Sequence, residues 1–173
     1  MFFHVRDLEL RAGRFDVVLA PGEIEFLDPK LKQAGPLKAQ GTVELSAESI
    51  SEIRVAGHVS VEITADCDRC LEPARFPIDG DFELYYRPVS EDLGEETVID
   101  ESEAEMGFYE GDGIELNDAL REYVLLALPM QRVCRPDCQG ICPVCGQNRN
   151  QQLCACQTES VDDRWEALKN LGK

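Results

Sequence analysis

Residues 37–67 read LKAQGTVELSAESISEIRVAGHVSVEITADC, a stretch with the composition of β-strands that lead into a cysteine. Val, Ile and Thr are concentrated in two runs, at about Gly41–Ser46 and Ile53–Thr64, with a polar connection between them. In the second run the valines and isoleucines occupy alternate positions, apart from a break at Gly57, as in a strand that buries one face. The stretch therefore predicts two strands.

A third strand is predicted at Phe76–Tyr86, because Ile78, Phe82 and Leu84 alternate there with polar residues. Taken together, the three runs predict an antiparallel β-sheet, arranged as a meander or as a small barrel. With the helix described next, the fold class is α+β.

The segment IELNDALREYVLLAL, Ile114–Leu128, predicts a helix at about 115–128 that ends before Pro129. Asn117 or Asp118 is expected to cap its beginning. Apolar side chains share one face of this helix, which is expected to lie on the sheet. They are Leu120, Val124, Ala127 and Leu128.

Cysteines follow the second strand and recur near the end of the chain. Cys67 and Cys70 form a C-x2-C pair in CDRCLEP, where they are expected to occupy a turn, and six more cysteines lie in CRPDCQGICPVCGQNRNQQLCAC at 134–156. Two thiolates at C-x2-C spacing can occupy adjacent corners of a metal tetrahedron. CPVCG is typical of a zinc knuckle, because Pro143 stiffens the turn and Gly146 can take the positive φ that the turn needs.

Eight thiolates would satisfy two four-coordinate zinc ions. The grouping we favour has a local site made by Cys142, Cys145, Cys154 and Cys156. A second site would hold the cysteine-rich tail on the β domain through Cys67, Cys70, Cys134 and Cys138. A single zinc with spare thiols remains open, as does a buried or hydrogen-bonded thiol pair at the C-x2-C of CDRCLEP.

The ligand set argues against a catalytic metal. A catalytic zinc keeps one position open for water and usually recruits histidine or a carboxylate. The chain has only His4 and His58, and His58 lies in a strand pattern, where a surface or packed role is expected. No nucleophile elbow, phosphate-binding loop or H-E-x-x-H motif is present. We therefore predict structural zinc, no enzyme activity and no small-molecule substrate.

The formal net charge of −17 lies mainly in the middle of the chain, since residues 79–120 carry one Lys or Arg against 15 Asp and Glu. Residues 90–113 predict a solvated, partly disordered acidic loop, with a surface for a basic partner as the alternative. Residues 121–173 are nearly neutral, with seven basic against six acidic side chains.

The beginning of the chain lacks the apolar core of a signal peptide, and the longest apolar run, Tyr123–Leu128, is too short to span a membrane. A cytoplasmic protein is therefore predicted, and in a reducing compartment clustered cysteines favour metal over disulfides. Two parts are expected: a β-rich domain at 1–128, which includes the acidic loop and the helix, and a zinc-binding tail at 129–173. VDDRWEALKNL at 161–171 predicts a short helix in the tail.

The cysteine motifs also carry a family resemblance. CDRCLEP after a strand, a helix ending in LLALP, and C-x3-C-x-G-x-CPVCG-x-N resemble the YceD family, the large ribosomal RNA accumulation proteins of bacteria and plastids. The resemblance covers most of the chain, from the strand before Cys67 to RWEALKNL. The matching positions are Cys67, Arg69, Cys70, Pro73, Cys134, Cys138, Gly140, Cys142, Pro143, Cys145, Gly146, Asn148, Cys154 and Cys156.

This chain departs from the family pattern at two places. It has Gln139 and Ile141 around Gly140 where Lys-Gly-Leu is expected, and Arg149 where an Asn-Leu-Asn-like run has an apolar residue. Neither change affects a predicted ligand.

The resemblance implies a role in the synthesis, processing or stability of large-subunit (23S) ribosomal RNA, without enzymatic activity. The charge favours a protein partner, since phosphate repels a chain of net charge −17 and an acidic belt suits a basic large-subunit ribosomal protein or a pre-ribosomal particle. Direct RNA binding through the tail is the alternative. Its candidate residues, unless they are ordinary solvated arginines, are Arg69, Arg132, Arg135 and Arg149. A thiol redox protein is disfavoured, because its active C-x2-C pair usually opens a helix.

Overall fold

The structure, a computed structural model, describes residues 1–46, 51–89 and 106–156. Its strands are β1 (Phe2–His4), β2 (Gly13–Leu19), β3 (Lys32–Gln33), β4 (Leu37–Leu45), β5 (Ile53–Asp66), β6 (Pro73–Pro88), β7 (Met106–Tyr109) and β8 (Gly113–Glu115). Its helices are α1 (Val5–Leu10) and α2 (Leu116–Ala127).

The chain forms two units. The first unit contains Met1–Ala65 and Ala74–Arg132, and the second contains Asp66–Pro73 and the chain from Val133 onward. The short piece between β5 and β6 thus groups with the cysteine-rich tail, whereas the sequence predicts it as part of the β-rich domain. Its two cysteines account for this grouping, because their sulfur atoms lie beside those of Cys134 and Cys138 in the tail.

A six-stranded sheet forms most of the first unit. The strands follow the order β2-β4-β5-β6-β7, and β3 also pairs with β5. The pairs β2–β4, β3–β5 and β4–β5 are antiparallel, whereas β7 runs parallel to β6. A separate two-stranded sheet joins β1 to β8. The predicted α+β class is confirmed, with an open mixed sheet in place of a barrel among the residues described.

The core follows the alternation predicted for β5, where Ile53, Val55, Val59, Val61 and Ile63 are buried. The alternation breaks at Gly57, where close packing leaves no room for a side chain.

Gly57 lies directly opposite Gly41 of β4, and the ring of Phe15 lies against Gly41. A Cβ at Gly41 would come within 2.6 Å of that ring, whereas a Cβ at Gly57 would clash with the carbonyl oxygen of Gln40. Phe15 in turn stacks on Phe82 of β6, with ring centroids 6.5 Å apart.

Helix α2 lies against β6, as predicted. The rings of Phe82 and Tyr123 are 5.1 Å apart, and the hydroxyl of Tyr86 donates to Glu122 at 2.7 Å. The buried face differs from the predicted one at its end, because Ala127 is exposed and Leu128 only half-buried. The buried residues of α2 are Leu116, Ala119, Leu120 and Val124.

The predicted caps of α2 are wrong. The N-cap residue is Glu115, and no side chain caps the helix. Strand β8 runs directly into α2, and the backbone N–H of Leu116 donates to the carbonyl oxygen of Met1 at 2.9 Å. Met1, the residue before β1, thus satisfies the first of the free N–H groups at the start of α2.

The predicted acidic loop at 90–113 is only partly described, since 90–105 lie outside the described residues. Its later part contains β7 and the first residue of β8, so it is partly strand. The helix predicted at 161–171 also falls outside the described residues. Within 1–46, 51–89 and 106–156, no helix has the length and apolar character required to cross a membrane.

Candidate metal centre

The eight cysteines form two groups of four in the second unit. The first group, called the inner cluster here, is Cys67, Cys70, Cys134 and Cys138; the second, called the outer cluster, is Cys142, Cys145, Cys154 and Cys156. Within each group all four sulfur atoms lie within 4.8 Å of one another. This is the membership that the spacing favoured, and metal binding itself stays a prediction.

The sulfur positions fit a tetrahedral ion. A zinc ion with Zn–S bonds of about 2.3 Å has S···S edges of about 3.8 Å. In the inner cluster the Cys67 and Cys138 sulfurs are 3.9 Å apart, and those of Cys70 and Cys134 are 3.8 Å apart. The donor set therefore suits a structural zinc site with four thiolates. The inner cluster has three buried cysteines and the outer cluster one.

Two turns of the same construction hold the C-x2-C pairs. In the first, the N–H of Leu71 donates to the Cys67 oxygen at 2.8 Å, and the N–H of Cys67 donates to the Glu72 oxygen at 2.9 Å. In the second, the N–H of Gly146 donates to the Cys142 oxygen at 2.8 Å, and that of Cys142 to the Gln147 oxygen at 2.8 Å. CDRCL and CPVCG thus form turns with the same backbone hydrogen-bond pattern.

Both turns require a positive φ at the residue after the second cysteine. Gly146 has φ +74°, as the sequence predicted, and Leu71 has φ +62° at the equivalent position. A left-handed backbone is costly for a residue with a Cβ. Leu71 was not singled out from the sequence, although it stands at the same offset from its C-x2-C pair as Gly146.

The first cysteine of each turn favours the thiolate form. Burial raises the pKa of Cys67, but backbone N–H groups, above all that of Cys134, outweigh it and lower the pKa to about 6. The N–H groups of Cys145 and Val144 lower the pKa of Cys142 to about 6. Backbone amides therefore prepare one thiolate in each cluster, which is the form that binds a metal.

Side chains of the tail add hydrogen bonds to the sulfurs. The Asn150 amide donates to the Cys138 sulfur at 3.3 Å, and the Arg149 guanidinium donates to the Cys142 sulfur at 3.6 Å. The thiol of Cys142 raises the pKa of Arg149. Arg149, the departure from the family pattern, thus places a positive charge beside the outer cluster, where such contacts tune ligand and metal.

The tail also packs on the first turn. The N–H of Ile141 donates to the Arg69 oxygen at 2.9 Å, and a Cβ at Gly140 would lie 2.9 Å from that same oxygen. Glu72 accepts hydrogen bonds from Asn148 at 3.3 Å and from Gln151 at 3.1 Å. These contacts explain why Asp66–Pro73 belongs to the second unit.

Three of the four candidate RNA-binding arginines lie in this unit. Arg69 donates to the Cys138 oxygen at 3.3 Å, Arg135 donates to Asn150 at 3.0 Å, and Arg149 contacts the outer cluster. The fourth, Arg132, belongs to the first unit, where it pairs with Asp28 at 3.5 Å. Each of the four therefore makes a contact within its own unit, and RNA binding stays a prediction.

We expect Leu71→Gly to stabilise the first turn by roughly 0.5–1 kcal/mol, because glycine removes the left-handed strain and the exposed leucine loses little burial. Hydrogen exchange at the amide of Cys67, which donates to Glu72, measures this opening free energy. Leu153→Gly is the matched control, because Leu153 is 80% exposed without a positive φ, and it should give no stabilisation. Faster exchange at Cys67 in Leu71→Gly would contradict the expectation.

Known proteins match this chain over most of its length. A family model described as "Large ribosomal RNA subunit accumulation protein YceD" matches residues 55–172. An uncharacterized protein of Mycobacterium tuberculosis is 35% identical over 131 residues, which are 75% of this chain and 60% of that protein. This chain thus spans less than two thirds of its mycobacterial relative. No solved structure matches it.

Two further relatives come from a plant and a distant bacterium. The chloroplastic large ribosomal RNA subunit accumulation protein YCED homolog 1 of Arabidopsis thaliana is 29% identical over 75% of this chain and 48% of its own length. The uncharacterized protein YlbN of Bacillus subtilis is 21% identical over 99% of this chain and 94% of its own length. The family model covers more than half of the residues, including all eight cysteines, and the chain belongs to the YceD family.

Proposed function

We propose that this protein supports the accumulation of large-subunit ribosomal RNA without catalysing a reaction, and that each cysteine cluster holds one structural zinc ion. The observation that carries the proposal is family membership, since plant relatives are named large ribosomal RNA subunit accumulation proteins. A non-catalytic role is supported by the clusters, because four thiolates fill the coordination shell of zinc and leave no position for substrate.

The partner in this proposal is a basic protein of the large subunit or of its precursor particle. The net charge of −17 opposes direct binding to phosphate and favours fast encounter with a basic surface. A cytoplasmic location belongs to the same proposal, because a reducing compartment keeps eight cysteines available for metal.

Deleting the gene in its own organism tests this role. We expect the ratio of large- to small-subunit ribosomal RNA to fall, and to recover when the intact gene is supplied. A copy with Cys138→Ser and Cys154→Ser, one change in each cluster, should fail to restore it. An unchanged ratio after deletion would contradict the function.

Purification at low salt after crosslinking identifies the partner class. Large-subunit proteins should be recovered, and their yield should fall steeply as salt is raised. Ribosomal RNA crosslinked directly to this chain, without such proteins, would overturn the protein partner in favour of RNA.

A further inference from the structure

A groove of about 470 Å³ opens in the first unit, beside the N-terminal part of helix α2. Strands β1, β7 and β8 and helix α2 contribute to its walls. Tyr86 and Tyr109 are buried at its base, where the Tyr109 hydroxyl donates to the backbone oxygen of Ser51 at 2.7 Å. The base is therefore held in place by the sheet.

Large apolar side chains are exposed along the groove. Phe108 of β7 is 61% exposed, Leu27 is 82% exposed, and Phe2 of β1 is also exposed. Burying such side chains against a partner is favourable in proportion to the apolar area removed from water. A cluster of exposed apolar residues around one concavity is typical of an interaction site.

Acidic side chains form the rim, since four carboxylates and one guanidinium line the groove. The chain's own cations pair with two of them: the N-terminal amine with Glu115, and Arg121 with Asp118 at 2.7 Å. Glu122 accepts a hydrogen bond from the uncharged Tyr86 hydroxyl and pairs with no cation among the described residues. Glu110 has no partner among the described residues. The groove thus combines apolar walls with uncompensated negative charge.

We infer that this groove binds a basic protein segment in which Lys or Arg alternates with bulky apolar residues. The apolar side chains would cover Phe108 and Leu27, and the cations would pair with Glu110 and Glu122. Aromatic faces add cation–π attraction for Lys and Arg. An acidic or uncharged apolar segment would leave these carboxylates unpaired. The inference rests on the proposed function, which supplies the basic protein partner. It adds that this partner binds to a surface of the first unit.

The test measures binding of the full-length protein to a labelled synthetic peptide in which Lys and Arg alternate with Leu and Trp, by fluorescence anisotropy at about 50 mM salt. We expect Glu110→Gln with Glu122→Gln to weaken binding roughly 5- to 10-fold, and Phe108→Ser to weaken it about 10-fold. Glutamine can still accept the Tyr86 hydroxyl, so the double variant preserves that hydrogen bond.

Glu9→Gln with Asp16→Asn is the matched control, because it makes the same charge change at exposed residues outside the groove. It should bind the peptide as the unmodified protein does. Versions of the peptide with Glu in place of Lys and Arg, or Ser in place of Leu and Trp, should bind at least about 10-fold more weakly.

If the control pair and the groove pair of substitutions weaken peptide binding equally, the site is overturned. It is also overturned if replacing Leu and Trp of the peptide by Ser leaves the affinity unchanged. Absence of binding to the unmodified protein would also overturn it. This binding measurement is separate from the ribosomal RNA ratio after gene deletion. If the peptide test fails but gene deletion lowers the ratio of large- to small-subunit ribosomal RNA, only the docking surface is rejected. If the ribosomal RNA ratio is unchanged after deletion, the proposed function is rejected.

Discussion

Cys138→Ser is expected to remove one of two zinc ions and to open the second unit around the inner cluster. Cys138 is buried, its sulfur lies 3.9 Å from that of Cys67, and it accepts a hydrogen bond from Asn150. Serine replaces a thiolate by a hydroxyl that stays protonated, so the site keeps three of its four ligands. The loss in zinc affinity should exceed the roughly 10- to 100-fold that removal of an outer hydrogen-bonding partner costs.

The structural consequence is large because zinc binding contributes to folding. Structural zinc sites with this type of ligand contribute about 10–16 kcal/mol of apparent binding energy, which is comparable to the entire stability of a domain. The inner cluster joins Cys67 and Cys70, between β5 and β6, to the tail. Hydrogen exchange should therefore speed up at Cys67 and Ile141, whose amides are bonded within this unit.

The matched variant is Cys154→Ser, which makes the same chemical change in the outer cluster. Metal analysis by mass spectrometry should find two zinc ions in the unmodified protein, one in each single variant and none in the double variant. Amide exchange at Cys67 should respond more strongly to Cys138→Ser than to Cys154→Ser. Two zinc ions retained in Cys138→Ser with unchanged affinity would show that this residue is not a ligand, and loss of both ions would refute independent sites.

Local patterns predicted the parts of the fold that depend on one segment. The alternation in β5 and β6, the end of α2 before Pro129 and the grouping of the outer cluster all follow from short-range periodicity or spacing. The positive φ of Gly146 was predicted because glycine marks it. The equivalent Leu71 carries no such mark, and only the shared hydrogen-bond pattern of the two turns reveals it.

Contacts between distant segments account for most of what the sequence did not predict. Strand β1 is three residues long and pairs with β8 more than a hundred positions later, so neither strand has a recognisable pattern of its own. This pairing also brings Met1 beside the start of α2, where its carbonyl oxygen accepts from the N–H of Leu116. The hydrogen bonds from Asn150 and Arg149 to sulfur likewise depend on how the tail folds back on the clusters.

Gly41→Ala is expected to destabilise the first unit by about 3 kcal/mol or more, the upper range for overpacking a core. A Cβ there would lie 2.6 Å from the Phe15 ring and closer still to the carbonyl oxygen of Ala56. Neither atom can move freely, because Phe15 stacks on Phe82 and Ala56 pairs with Thr42 in the β4–β5 ladder. Thermal unfolding should show a midpoint lowered by roughly 10 °C.

Gly35→Ala provides the control for this substitution. A Cβ at Gly35 meets nothing within 4 Å, and its φ lies outside the left-handed region. The change should be neutral or stabilise by up to about 1 kcal/mol, because alanine restricts the unfolded chain. Equal midpoints for the two variants would refute the close packing of Phe15 on Gly41. Zinc content should stay at two ions in both variants, since the cysteine clusters belong to the other unit. A midpoint lowered without loss of zinc would therefore assign the damage to the sheet that carries α2 and the groove beside it.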